Sequence, residues 1–399
     1  MKLRSTETFW PLKSSMACGY PSLQVSIDTP ILIIGGGITG ALIAYQLIQE
    51  GKKVVLVDKR DVCNGSTAAS TALLQYEIDV SLHELIAKRG LRCAIDSYKN
   101  CEKALYDLKA IVEDVKSDCG FALRKSIYFC SQKKDLPFLQ REYEARKAHG
   151  IAVQWLEEKD LKERGLNALA AIESKSGAVV DPYQLAQDLL QYCQQKGMQV
   201  YDRTAVIKIH KYRNELVAVT ANNCRITAGD IIHCTGYESV ELLSDKIVDL
   251  KSTFVIISES YADLPNPFKD AIYWNTADPY LYFRGTSDGR IIVGGGDEEF
   301  RDAARRDKLL PKKEQYLLKQ FEKYFPGIPL IPDYAWAGTF GETKDGLPYF
   351  GKSDPGRNEH YVLGFGGNGI VFSVVGMGSV LHSLENRAHP DLEYYKFGR

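Results

Sequence analysis

The first chemical signal is a run of glycines with an acid behind it. Gly35-Gly36-Gly37-Ile38-Thr39-Gly40 has the G-x-G-x-x-G spacing. Gly35 permits a sharp turn, Gly37 lets backbone approach a pyrophosphate, and Gly40 lets a helix pack closely on a strand. Asp58 follows at about the 20-residue spacing at which a carboxylate meets ribose hydroxyls. Free N–H groups at a helix start, with the positive end of the helix dipole, attract a diphosphate. The chemistry is dinucleotide binding, and this motif alone does not separate FAD from NAD.

A strand, a turn, a helix and a second strand must position these residues. Ile31 to Ile34 and Val54 to Val57 are unbroken apolar runs, as parallel strands buried on both faces require. A helix is expected from about Ile38 to Glu50, with Gly51 as its C-cap. The stretch Asn64 to Leu74 is small and hydroxyl-rich. Its backbone is open to close approach by a cofactor; a flexible linker is the competing interpretation. Near the C-terminus, a short strand Tyr361 to Gly364 runs through Phe365-Gly366-Gly367-Asn368-Gly369 into a helix from Ile370, a second glycine turn of the same kind.

Composition bounds the rest. With 399 residues the chain is long enough for two to three domains. Hydrophobic residues make up 45% and charged residues 25%, an ordinary globular balance. A net charge of -1 gives no electrostatic case for nucleic acid. Nine cysteines without a C-x-x-C pair argue against a zinc site or a disulfide framework, and cytoplasmic thiols are expected. Met1 to Tyr20 lacks the apolar core of a signal peptide, and residues 1–28 are expected to lie across the surface. No run is long enough to span a bilayer.

Along the chain, helical spacing predicts two helices from Leu82 to about Ser117. A strand is expected at Ser126 to Cys130, a helix at Phe138 to Ala148 and a short one at Asp160 to Arg164. Asp181-Pro182 reads as an N-cap with proline at the first helical position, opening a helix to about Lys196. Strands follow near Gln199 to Tyr201, Ala205 to His210, Leu216 to Thr220 and Asp230 to Cys234, the last meeting Thr235-Gly236. Four antiparallel strands then run from Phe254 to Gly294, with Ser287-Asp288-Gly289 as a hairpin turn. A helix at Pro311 to Tyr324 and a strand at Ala335 to Phe340 complete the order.

The expected fold class is α/β (α+β overall): a Rossmann-like FAD-binding domain interleaved with an antiparallel-sheet substrate domain. The expected division gives residues 1–95, 176–250 and 332–399 to the first and 96–175 and 251–331 to the second.

Taken together, the chain from about residue 28 to 390 resembles the D-amino-acid oxidase-like FAD-dependent oxidoreductases, which include glycine oxidase, sarcosine oxidase and gamma-glutamylputrescine oxidase. The markers are Gly35 to Gly40, Asp58-Lys59, Ser66-Thr67, Thr71-Ala72-Leu73, Ala205-Val206, Cys234-Thr235-Gly236-Tyr237, Thr343-Lys344-Asp345-Gly346-Leu347-Pro348 and Gly366 to Ile370. The resemblance implies non-covalent FAD. Gly35, Gly37, Ile38, Thr39 and Gly40 then serve the pyrophosphate turn, and Asp58 and Lys59 the adenosine ribose. Ser66, Thr67, Thr71, Ala72 and Leu73 line the span to the flavin, Val206 meets the adenine, and Thr235 and Gly236 pass close to the dinucleotide. Phe365, Gly366, Gly367, Asn368, Gly369 and Ile370 lie against the isoalloxazine, where helix-start amides stabilise negative charge.

The sequence departs from glycine oxidase-like members where those place arginines: Phe340 and Gly367 stand at the two positions. Arginine is the usual bidentate clamp for a carboxylate, so simple amino-acid oxidation is in question. Arg284 is a candidate replacement. Glu77 and Asp79 are candidates for recognising a cationic amine instead. No cysteine follows Cys234, which removes the covalent cysteinyl-flavin option; His233, Cys234 and Cys63 read as core packing. The expected activity is oxidation of a C–N bond of an amine or amino acid by hydride transfer to flavin N5, with oxygen or another electron acceptor. The alternatives are a hydroxy-acid dehydrogenase passing electrons to a non-oxygen acceptor, and a flavin-binding subunit without turnover.

Overall fold

The strand Ile27–Ile34 has parallel neighbours on both sides, Val54–Val57 and Arg225–His233. That is why its apolar run shows no alternation: Leu32 and Ile33 are fully buried. The computed structural model describes residues 1–5, 7–15, 19–213, 215–241, 243, 246–364 and 366–399. The sheet extends on one side to Gln199–Tyr201, and on the other to Glu359–Leu363 and the antiparallel edge strand Tyr349–Lys352. A hairpin of Val206–Tyr212 and Glu215–Thr220 joins it through Arg225–His233.

Helices cover this sheet. Ile38–Gln49 is apolar almost all round because Pro182–Gln195 and Gly369–Leu384 both pack on it. Asp181 caps Pro182–Gln195, its carboxylate accepting from the N–H groups of Tyr183 and Gln184. Leu91–Asp114 packs on Gly369–Leu384 and, with the shorter Leu82–Arg89, shares the same core.

Among the described residues the second sheet has nine strands. Its main path runs Pro332–Glu342, Asp249–Ser258, Ile291–Glu299, Leu281–Gly285, Ala271–Asn275, Ala122–Phe129, Ala170–Val179 and Leu73–Gln75, with Val153–Glu157 paired on Ala170–Val179. Pairing is antiparallel except between Ala271–Asn275 and Ala122–Phe129. The helix Ala303–Tyr324 covers its outer face.

Four expectations need correction. The described part of residues 1–28 is anchored to the fold rather than lying as a surface strap. Leu3 and Ser5 exchange backbone hydrogen bonds with Thr339 and Ala337, and the buried Trp10 donates its indole N–H to the carbonyl of Ser70. The expected division does not follow the sheets either. Leu73–Gln75 and Pro332–Glu342 pair into the second sheet, whereas Leu91–Asp114 packs with the first. The strands Val153–Glu157 and Ala170–Val179 were not expected: the first is only five residues long and ends on a charge, and Glu173 and Lys175 interrupt the second. The helix ending at Tyr324 starts at Ala303, where Asp302 accepts from the N–H of Arg305, and runs through Pro311.

Candidate active site

The first glycine turn is built by close approach. Gly35 has φ +111°, and a Cβ there would lie 2.3 Å from the carbonyl oxygen of Cys234. A Cβ on Gly40 would lie 1.9 Å from the oxygen of Gly35. The turn is then tied down: Asp58 accepts from the N–H of Gly36 at 2.7 Å and of Arg60 at 2.8 Å, and Thr67 Oγ1 accepts from the N–H of Ile38 at 3.0 Å. Carboxylate oxygens keep further lone pairs after these bonds. The first-turn amides of the helix have no partners within the helix itself.

The second glycine turn starts the helix Gly369–Leu384, which packs on the helix of the first turn, with the Thr39 and Ser373 hydroxyls 2.7 Å apart. Gly366 donates its N–H to the oxygen of Gly341 at 2.8 Å, and Tyr237 donates its hydroxyl to the oxygen of Gly366 at 3.1 Å. Asp79 accepts from the N–H of Gly367 at 2.8 Å, and the Asn368 amide donates to the backbone oxygen of Glu77. A Cβ on Gly367 would sit 2.7 Å from the Tyr280 hydroxyl and 2.9 Å from Asp79 Oδ1. Tyr280 and Asp79 thus occupy the space into which a longer side chain at 367 would project.

Both turns line one cavity of about 710 Å³. It runs from Gly35, Gly37, Ile38 and Thr39 and from Asp58 and Lys59, past Ser66, Thr67, Thr71, Ala72 and Leu73, to Gly366, Gly367, Asn368, Gly369 and Ile370. Val206, Thr235 and Gly236 line it as well. Gly40 stands behind the wall, packing helix on strand. Phe365 lies outside the described residues. A long cavity gripped at two amide-lined corners, with side chains absent where backbone must approach a ligand, fits FAD.

Among the proposed substrate residues, Phe340 and Gly367 line the cavity and Arg284 and Glu77 do not. Arg284 is buried two residues beyond Tyr282, on the same face of the strand. There its guanidinium lies 5.3 Å from the Trp10 ring centroid and donates to the oxygen of Val180 at 3.0 Å. The leader covers the end of the strand that the clamp needed. Glu77 is also fully buried: Arg146 and the Ser126 hydroxyl donate to its Oε1 at 3.2 and 2.9 Å, so it serves an internal ion pair. Asp79 is spent on Gly367, and burial pushes its pKa up to about 6.

His233 is a core histidine, its Nε2 lying 3.0 Å from Glu359 Oε2 and its ring stacked on Tyr361. Burial pushes the thiols of Cys63 and Cys234 up, so neither is a ready nucleophile. The Thr343 to Pro348 marker is structural: Thr343 donates to the oxygen of Leu347 at 2.9 Å, and Arg399 donates to Asp345.

Sequence reasoning missed the wall opposite Gly367. Tyr280, Tyr282, Thr253 and Asp297 line that end of the cavity. Asp297 has one buried carboxylate oxygen, Oδ1, without a hydrogen-bond partner among the described residues, and burial pushes its pKa up to about 7. Gly294-Gly295-Gly296 before it was the available signal, since glycine inside a strand marks a bulge or close backbone approach.

A parallel sheet with a dinucleotide turn, sharing one cavity with a large antiparallel sheet, defines a two-sheet flavoprotein oxidoreductase. Residues 30–381 match the family described as FAD dependent oxidoreductase (DAO), and the chain belongs to that family. It is an FAD-dependent enzyme. It is 26% identical over 392 residues to a putative Rieske 2Fe-2S iron-sulfur protein, YhfW, of Bacillus subtilis (strain 168), covering 96% of this chain and 74% of that one. It is 24% identical over 389 residues to gamma-glutamylputrescine oxidoreductase of Escherichia coli (strain K12), covering 92% and 86%. The crystal structure of glycine oxidase from Geobacillus kaustophilus shares the fold, with a TM-score of 0.79 at 19% identity over 93% of this chain and 99% of that one. Among the described residues no helix is long and apolar enough to cross a membrane.

Proposed function

We propose that the chain oxidises a C–N bond of an amine or amino acid by hydride transfer to flavin N5. The observation that carries this reading is the shared cavity: the second glycine turn, against which the isoalloxazine is expected to lie, faces a compact wall of Tyr280, Tyr282, Thr253, Asp297 and Phe340. FAD, when bound, supplies a two-electron acceptor, so that a C–H beside nitrogen becomes an imine carbon, which water hydrolyses to a carbonyl product. The chain's own part is to orient the substrate and exclude water. An uncharged amine surrenders hydride without a dedicated base, so the reading needs no histidine or cysteine dyad. Relatives named for glycine and for gamma-glutamylputrescine support the C–N choice.

Anaerobic mixing of FAD-loaded protein with a panel of amines, amino acids and hydroxy acids tests it. Bleaching of the flavin absorbance by an amine or amino acid is expected; bleaching by none of them overturns the reading.

A second reading concerns only the acceptor. The relative named as an iron-sulfur protein favours electron delivery to a one-electron carrier over oxygen. Peroxide yield compared with dye reduction separates the two. The same proposal places the enzyme in the cytoplasm, a reading supported by eight described cysteines that are all free and buried.

A further inference from the structure

The pairing between Ile291–Glu299 and Asp249–Ser258 breaks at one point. Glu298 stands opposite Ser252 and Gly295 opposite Phe254, so Gly296 and Asp297 together oppose the single residue Thr253. This is a β-bulge, with Gly296 at φ +66° as its left-handed residue. Gly294, two positions before it, leaves room for the Tyr282 ring: a Cβ there would lie 2.2 Å from that ring. The bulge re-aims Asp297 into the cavity, beside Tyr282, Tyr280 and Thr253. Its Oδ1 is buried and has no hydrogen-bond partner among the described residues. A buried carboxylate oxygen left without a donor is costly unless a ligand completes it.

The charges around the cavity divide by end. Its lysine and arginine lining residues are Lys59, Arg60, Lys208 and Arg357, all from first-sheet segments. At the Asp297 end the cavity wall has no lysine or arginine among the described residues. The nearby Lys251 is outside the wall and held by Glu342 at 2.6 Å. A substrate carboxylate arriving there finds a like charge and no clamp. An ammonium finds a carboxylate and the faces of three aromatic rings, Tyr280, Tyr282 and Phe340.

We propose that Asp297 determines specificity at the substrate end: its carboxylate holds an ammonium group distinct from the uncharged nitrogen at the reacting carbon, and the substrates are amines that carry a second, cationic nitrogen and no carboxylate beside the reacting carbon. The proposal rests on the C–N oxidation reading above but is tested separately. Benzamidinium and benzoate are a cation and an anion of nearly the same flat shape. Titrated into the FAD-loaded protein, each reports binding through the flavin absorption spectrum.

The wild-type protein is expected to bind benzamidinium more tightly than benzoate. Asp297→Asn is expected to weaken benzamidinium roughly 10- to 100-fold, the range for losing a charged hydrogen-bond partner, with FAD content unchanged. Asp297→Glu restores part of the loss. A wild-type preference for benzoate overturns the proposal, whatever the fate of the variants. So does an Asp297→Asn protein that retains FAD and binds benzamidinium as before. If benzamidinium is preferred but no amine bleaches the flavin, the C–N reading falls and the cation site stands.

Discussion

The carboxylate of Asp79 accepts a hydrogen bond of 2.8 Å from the backbone N–H of Gly367, joining the stretch after Leu73–Gln75 to the second glycine turn. The two residues are far apart in sequence, yet this bond fixes the turn against which the flavin is expected to lie. Asp79→Ala leaves that N–H without its charged acceptor, and FAD affinity is expected to fall about 5- to 20-fold. Asp79→Asn keeps an acceptor oxygen and should lose less. Titration of apoprotein with FAD measures both; equal affinity for Asp79→Ala and wild type would show that the bond does not shape the turn.

Arg146 is the counter-charge for the acids behind that turn. Its Nε donates to Glu142 Oε1 at 2.7 Å, and its Nη1 donates to Glu77 Oε1 at 3.2 Å and to the Tyr76 hydroxyl at 3.0 Å, with no exposure to solvent. Removing one member of such a group strands buried charge, at a cost of about 3–5 kcal/mol. Arg146→Met is therefore expected to unfold at markedly lower urea. Arg146→Met with Glu142→Gln and Glu77→Gln should recover most of the loss, because no unpaired charge then remains. A single variant as stable as the wild type contradicts the account.

What the sequence made legible was whatever depends on local backbone chemistry. Gly35, Gly37 and Gly40 announce a turn because no side chain fits there, and Asp181-Pro182 announces a helix start because capping is a matter of adjacent residues. The two glycine turns and, among the described residues, every assigned cofactor contact except Gly40 line one cavity.

What stayed hidden depends on distant partners. Arg284 shares a strand face with Tyr282, and by alternation alone both point the same way; only Trp10, from the far end of the chain, decides that one is walled off. Glu77 reads as a free acid until Arg146 is folded against it. The strand Ala170–Val179 carries Glu173 and Lys175, which break its apolar pattern, yet neighbours on both sides hold it in the sheet. Asp297 was the largest omission: Gly294-Gly295-Gly296 signals a bulge or a close approach, but which residue a bulge turns into the cavity depends on the register with the neighbouring strand.

The raised pKa of Asp297, about 7, gives the site a pH dependence whose sign follows from burial. The groups acting on it are Asp79 and Glu342, which raise its pKa further, and Lys251 and a hydrogen bond from Thr253, which lower it; the Tyr280 and Tyr282 hydroxyls lie close by. An unfolded aspartate titrates near ~3.9. Between that value and about 7 the native protein retains a proton that the unfolded chain has released, so the stability this group contributes is full below ~4 and lost as pH rises to about 7. Asp297→Asn abolishes the loss. Its stability relative to wild type, from urea midpoints of apoprotein, should grow from pH 4 to 7 and level off above. Cation binding runs the other way: benzamidinium affinity of the wild type should strengthen as pH rises through about 7, where the carboxylate becomes charged, and stay flat in Asp297→Asn. Parallel pH profiles for the two proteins would show that Asp297 does not titrate at the ligand.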